Sequence, residues 1–333
     1  MVITKTPFRI SFFGGGTDYP SWYQKNGRGA VLSTTIDKYC YLSCRYLPPF
    51  FKYKHRIVYS EQEYVNKFDE IKNSSARESL KFIKPDKGVE IHYVGDLPSQ
   101  SGLGSSSAFT VGLLNGLYAL QGEIKNKKQL AFDAIHFEQN MIKTNVGSQD
   151  QVAAAFGGLN KIEFLGKRKI DVQPIKISER KLENFQNHLM LFFTDFTRDS
   201  SNIAKGWIEN IPKNENNFNT FLTMVDEGVN ILTSPSENID DFGKLLHEHW
   251  RIKRGLAAKI TTSKIDEIYN TGIKAGALGG KLLGAGGGGF ILFFAEPEVQ
   301  PKIKERLKKF LCVPFKFDHF GTSIIYLGHH NQV

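Results

Sequence analysis

A chain of 333 residues is longer than one hydrophobic core usually organises, so two domains are expected, 1–180 and 181–333. With 41% hydrophobic and 23% charged residues, the composition excludes a collagen, a coiled coil and a largely disordered chain, and no apolar run reaches the ~20 residues of a membrane span. The net charge of +9 asks for an anionic partner, yet the basic residues are scattered, which favours small anions over nucleic acid. The opening Met1-Val2-Ile3-Thr4-Lys5-Thr6-Pro7 lacks a basic segment followed by an apolar one, and Cys40, Cys44 and Cys312 are too few for a disulfide framework. A reducing cytoplasm and no membrane association are the expectation.

Strand-like runs open the chain at Ile10 to Phe13, Ala30 to Ile36 and Tyr39 to Tyr46. A polar stretch from Asn66 to Gly88 reads as a helix with loops. Val89, Ile91 and Tyr93 then alternate with Glu90 and His92, as a half-buried strand does. After the turn Ser99 to Ser107, Val111, Leu114, Leu117 and Tyr118 recur at helical spacing. A second helix follows Asn126, with Leu130, Ala134, Phe137 and Met141 on one face. Short strand-like pieces fill Gly157 to Glu183, and Leu189 to Thr194 reads as a buried strand. Residues 200–262 are helical in pattern. The glycine-dense stretch Gly276 to Gly289 runs into the strand Phe290 to Phe294. A basic amphipathic helix, Lys302 to Lys309, and a strand, Ser323 to Leu327, close the chain.

Three glycine-rich loops are the candidate chemistry. In the first, Arg9 to Tyr19, a strand runs into Gly14-Gly15-Gly16 and places Thr17 and Asp18 at its mouth, where a carboxylate suits sugar hydroxyls; an Asx-capped turn suits the residues equally. In the second, Pro98 to Ser107, glycines let backbone N–H groups approach an anion at a helix N-terminus. The three serines there can cap the helix, bond phosphate or hold a divalent cation. No Lys-Ser/Thr follows the glycines, so this is not a Walker A loop. In the third, Gly279 to Gly289, four consecutive glycines cost conformational entropy that is best tolerated where backbone must pass close to something.

Two carboxylates stand out. Glu138 lies at the edge of an apolar helical face and needs a cation or a donor there. Asp150 precedes the small apolar run Val152 to Phe156. Each alone also suits a capping or surface role. His249 shares a helical face with Phe242, Leu245, Leu246 and Trp250 and reads as a packed core residue. Cys40 and Cys44 lack a zinc set. The 26 phenylalanines fill cores and the domain interface.

Together the loops resemble the three signature motifs of the GHMP kinase superfamily. The order matches: an Arg-bearing strand motif, Pro-x3-Gly-Leu-Gly-Ser-Ser at Pro98 to Ser106, and Lys-x2-Gly-Ala-Gly-x-Gly-Gly at Lys281 to Gly289. Phe12-Phe13-Gly14-Gly15-Gly16-Thr17-Asp18-Tyr19 departs from the galactokinase form, which carries Gly-Glu-His before Thr-Asp-Tyr. The resemblance implies an α+β fold, with an N-terminal domain like domain 2 of ribosomal protein S5 and a ferredoxin-like C-terminal domain. It implies ATP and Mg²⁺ and a small sugar phosphate as partners, with a homodimer possible. At matching positions, Pro98, Ser101, Gly102, Leu103, Gly104, Ser105, Ser106 and Ser107 would wrap the ATP phosphates. Ser106 and Glu138 would hold Mg²⁺. Asp150 would be the base or orienter for the attacking hydroxyl, with Arg9 beside it. Gly15, Gly16, Thr17, Asp18, Gly286 and Gly287 would meet the substrate. A sugar already phosphorylated at its far end needs a cationic pocket, for which Arg28, Arg198 and Lys5 are the candidates.

Overall fold

Apolar and β-branched residues dominate Val2–Phe13, and these twelve residues form one strand, β1, rather than the four-residue run read from the sequence. β1 pairs antiparallel along nearly its whole length with β2 (Gly29–Tyr46), which merges two expected strands. Pro7 sits where the register jumps from Tyr39 to Ile36, so Asp37 and Lys38 bulge from β2 beside a residue that has no N–H for the ladder. The computed structural model describes residues 1–166, 169–195, 206, 211–235 and 238–328.

The sheet is completed by β3 (His55–Val58), β4 (Gln62–Val65), β5 (Val89–Gly95), β6 (Asn160–Phe164) and β7 (Ile170–Pro174). Its main path runs β13-β1-β2-β5-β3-β4, with β6 and β12 on the other stretches of β2 and β7 outside β6. β12 (Phe317–Asp318) and β13 (Ser323–Leu327) come from the far end of the chain. We propose the domain division near residue 180, between β7 and the next strand; the tail of the chain then belongs to the N-terminal sheet.

After α1 (Pro20–Asn26) and α2 (Ser74–Ile83), helix α3 (Ser105–Leu120) is buried on almost every side and lies across β1 and β2. The Thr4 hydroxyl donates to the Gly112 carbonyl at 3.0 Å, and a Cβ on Gly112 would stand 2.7 Å from the Thr6 hydroxyl, so only glycine lets helix and sheet approach this closely. Beside it lie α4 (Lys127–His136), capped by the Asn126 side chain, and α5 (Gln149–Phe156). The smaller sheet has the order β11-β8-β10-β9: Cys312–Val313, Leu189–Phe193, Phe290–Phe294 and Gly279–Leu282. Packed with it is the helix Asp240–Lys253, whose Gly243 and Phe242 reach Phe294. Phe12, Phe13, Phe185, Phe242 and Phe294 form one ring cluster between the two sheets, with centroids 4.7–6.2 Å apart. This cluster fixes the end of β1 against the second sheet, and the cleft lies there.

Candidate active site

The Ser99–Gly104 loop enters α3 through Gly104, which caps the helix in the left-handed conformation and offers no side chain. The first intrahelical bond runs from Ala108 N–H to Gly104 O at 2.9 Å. The N–H groups of Ser105, Ser106 and Ser107 therefore have no helical acceptor, and all three residues line a cavity of about 320 Å³. Gly102, at φ +84°, abuts the third loop: a Cβ there would stand 2.6 Å from Leu283 O, and one on Gly284 2.5 Å from Gly102 Cα. Backbone meets backbone, which explains both glycines.

Arg9 projects from β1 into this corner. Its Nε and Nη2 donate to Asp150 Oδ1 and Oδ2 at 2.8 and 2.9 Å, and its Nη1 donates to Gly102 O at 2.6 Å. The bidentate pair fixes the planar guanidinium and the carboxylate in one plane. Asp150 sits in the first turn of α5, with its side chain 25% exposed and on the cavity wall. A Cβ on Gly104 would lie 3.4 Å from the Asp150 carboxyl, so the Ser99–Gly104 loop and Asp150 touch.

Glu138 lies on a π-helical turn, Phe137–Met141, that extends α4 and is closed by Ile142 N–H to Phe137 O. Such turns are rare and re-aim side chains. Its Oε2 accepts from Ser107 Oγ at 2.8 Å and from Gln151 Nε2. Oε1 is buried without a hydrogen-bond partner, and burial raises the carboxyl above the ordinary range. An orphaned buried carboxylate oxygen fits a hard divalent cation. Ser106 is exposed to the cavity, whereas the hydroxyl bonded to Glu138 belongs to Ser107.

In the first loop, Asp18 Oδ1 accepts from Gly16 N–H at 2.9 Å and Oδ2 from Gln149 N–H at 3.2 Å. The carboxyl is nearly fully buried, and burial with the nearby Asp150 charge pushes its pKa up to about 6. Gly147 is packed so tightly on it that a Cβ would lie 1.9 Å from Oδ2. Gly15, Gly16 and Asp18 line the cavity, as do Ser11 and Gln149, whose Oγ and Oε1 have no partner. Thr17 corrects the sequence reading: its hydroxyl donates to Gly14 O and Ala30 O and accepts from Ala30 N–H, so it braces the loop rather than meeting a ligand.

Other expectations are also corrected. Arg28 is occupied by Glu163 and Asp226 at 2.8 and 3.0 Å and lies off the cavity. Lys5 lies over the Tyr39 ring, farther down β1. Arg198 falls outside the described residues. Gly286 and Gly287 pack on the backbone at Ile260, and it is Gly284 and Ala285 that line the cavity. Of the second loop, Pro98 is exposed off the cavity, Leu103 is a core side chain whose carbonyl accepts from Arg9 N–H, and Ser101 is buried behind the wall.

Among the wall residues that were assigned no role in the site from the sequence are His249, Lys253 and Lys281. Lys281 Nζ donates to Phe12 O at 2.6 Å; Lys253 Nζ donates to Leu282 O and Gly284 O at 2.9 and 2.7 Å. Burial, with Arg9 nearby, pulls the Lys253 ammonium down to about 7 and Lys281 well below its usual range. The i, i+4 spacing of His249 and Lys253 was the available signal.

A family model of the GHMP kinases N terminal domain matches residues 67–158, and one of the GHMP kinases C terminal matches 232–311. The chain belongs to the GHMP kinases. As a member of this family it is a phosphotransferase with an alcohol group as acceptor, and ATP is the family's phosphoryl donor. The kinase is 28% identical to D-glycero-alpha-D-manno-heptose 7-phosphate kinase of Campylobacter jejuni over 92% of this chain and 93% of that protein. It is 24% identical to galactokinase of Pyrococcus furiosus over 93% and 94% of the two chains. Its fold matches the structure described as a D-glycero-D-manno-heptose 1-phosphate kinase from Bacteroides thetaiotaomicron, with a TM-score of 0.73 at 22% identity over 99% and 100% of the chains. Phosphomevalonate kinase of Streptococcus pneumoniae, solved with phosphomevalonate and AMPPNP, gives 0.76 at 15% identity over 96% and 100%.

Proposed function

We propose that this GHMP kinase is a sugar kinase that transfers the γ-phosphoryl group of ATP to the anomeric hydroxyl of D-glycero-D-manno-heptose 7-phosphate, giving the 1,7-bisphosphate. The observation that carries the reading is the bidentate Arg9–Asp150 pair, tied through Gly102 O to the loop whose free N–H groups face the same cavity. The likeness to the Campylobacter jejuni protein supports the substrate.

In this reading the N–H groups of Ser105 to Ser107 hold ATP phosphate oxygens at the positive end of α3. Asp18 accepts hydrogen bonds from sugar hydroxyls and fixes the ring. The C1 hydroxyl faces Asp150, whose carboxylate keeps lone pairs beyond those used by Arg9 and accepts the proton as the oxygen bonds to the γ-phosphorus. The bond from that phosphorus to the bridging oxygen of ADP breaks. Arg9 offsets charge on the transferred group. Phosphoryl transfer needs this positioning and charge neutralisation more than covalent help. Glu138, through its unpartnered Oε1, and Ser106 are the residues that would hold Mg²⁺, which supplies charge neutralisation on the phosphates when bound. In this reading the enzyme works in the cytoplasm, where ATP and sugar phosphates are found.

The test is ADP release with Mg·ATP against heptose 7-phosphate, mannose 6-phosphate, free heptose, fucose and galactose. Turnover confined to heptose 7-phosphate is the expected result. Turnover on free sugars alone would transfer the protein to the kinases of unphosphorylated sugars.

A further inference from the structure

One wall of the cavity carries buried cations and a buried imidazole that the phosphoryl-transfer machinery leaves unused. His249 is 1% exposed, and neither Nδ1 nor Nε2 has a hydrogen-bond partner. Its ring packs on Phe13 and Phe221, with centroids 5.7 and 4.4 Å away, so the surrounding protein is aromatic. Leaving two polar atoms unmet in such surroundings is costly unless something else meets them. Lys281 is 3% exposed, and among the described residues no carboxylate pairs with it. Its ammonium gives one hydrogen to Phe12 O and retains two. Lys253, one helical turn from His249, joins them on the wall. A buried lysine with no acid beside it, as Lys281 is, either sheds its proton or meets an anion, and on the wall of a cavity the ligand can bring that anion.

The donor set narrows the ligand. Ammonium groups only donate, and phosphate oxygens only accept. A neutral imidazole offers one donor and one acceptor, so it is fully met by a phosphate oxygen on one side and a hydroxyl on the other. We infer that His249, Lys281 and Lys253 form the subsite for the distal phosphomonoester of the substrate, with His249 also accepting from the hydroxyl next to that phosphate. The subsite rests on the sugar-phosphate reading above, and it replaces the roles expected of Arg28 and Lys5. The imidazole is held neutral by burial and by the two lysine charges, which suits it to this double role.

The test compares wild type with His249→Phe and Lys281→Met by steady-state kinetics on heptose 7-phosphate and free heptose, with thermal unfolding of each protein. Phenylalanine keeps the packing and removes the two unmet nitrogens. The expected result is a KM for heptose 7-phosphate raised at least 10-fold in both variants, an ATP KM within 2-fold, and the preference for the phosphorylated sugar reduced at least 10-fold. The Tm of His249→Phe should equal or exceed that of wild type, whereas a merely structural histidine would lower it. Should Lys281→Met fail to fold, inhibition by inorganic phosphate serves instead: it competes with the sugar phosphate in wild type and is weakened at least 5-fold in His249→Phe. An unchanged preference in His249→Phe, or a rise confined to the ATP KM, overturns the subsite while leaving the sugar-phosphate reading intact. A wild type that uses only free sugars overturns that reading, and the subsite with it.

Discussion

At the residue scale, the proposed chemistry depends on a few side chains whose neighbours fix their orientation. Asp150 is held by two guanidinium bonds and faces the cavity. Asp150→Ala should lower kcat by about 10²-fold or more with folding retained, the usual scale for a lost acid–base group, as measured by ADP release and circular dichroism. Asp18 has a different signature. Its folded pKa, about 6, lies above the ordinary 3.8, so the fold favours the protonated form. That contribution is complete below about pH 4 and is lost as pH rises through 6. A shift of this size is worth about 3 kcal/mol for a fully buried group. The stability of wild type relative to Asp18→Asn should therefore fall by about that amount from pH 4 to pH 7 in denaturant titrations. A flat difference would mean that Asp18 is ionised in the fold at no cost.

Among the elements, the start of α3 and the glycine turn at Gly284 were the parts most legible in the sequence. The glycines at Gly102 and Gly284 mark backbone contact between two distant loops, and the serines mark a helix start. Gly284, at φ +68°, has no room for a Cβ against Gly102. Gly284→Ala should raise the ATP KM about 10-fold and cost at least the ~1 kcal/mol of a strained left-handed residue, read from kinetics and Tm. Other features could not be read locally. The π-turn that aims Glu138 is a one-residue departure from helical spacing, which periodicity does not register. The strand Gly279–Leu282 hides in a stretch read as loop, because its pairing with Phe290–Phe294 supplies the order that its own glycines do not. Thr17 looked like a ligand contact because the residues that engage it, Gly14 and Ala30, meet it only in the folded loop. Arg28 looked available because its acids, Glu163 and Asp226, are more than 130 residues away.

For the whole molecule, the site exists because the end of β1 is clamped between two sheets. Phe242 touches Phe12, Phe13, Phe185 and Phe294, and Lys281 crosses from β9 to Phe12 O. Phe242→Ala should cost about 3–5 kcal/mol, the range for large aromatic truncations in a core, and lower Tm accordingly. It should also raise the KM of both substrates, since the walls carrying Arg9 and Lys281 are positioned by this cluster. Two domains were expected from length, and the α+β fold from the family resemblance that the order of the three loops carries. The return of the last strands to the first sheet was not, because strand pairing across more than 280 residues leaves no mark on either segment alone.

The measurement that bears most directly on the central claim is phosphorus and proton NMR of the product formed from heptose 7-phosphate and Mg·ATP. The account predicts a second sugar phosphorus resonance coupled to the anomeric proton, formed in equal amount to ADP and about 10²-fold or more slowly with Asp150→Ala. A new phosphate on any other carbon, or ADP formed without a phosphorylated sugar, would contradict it.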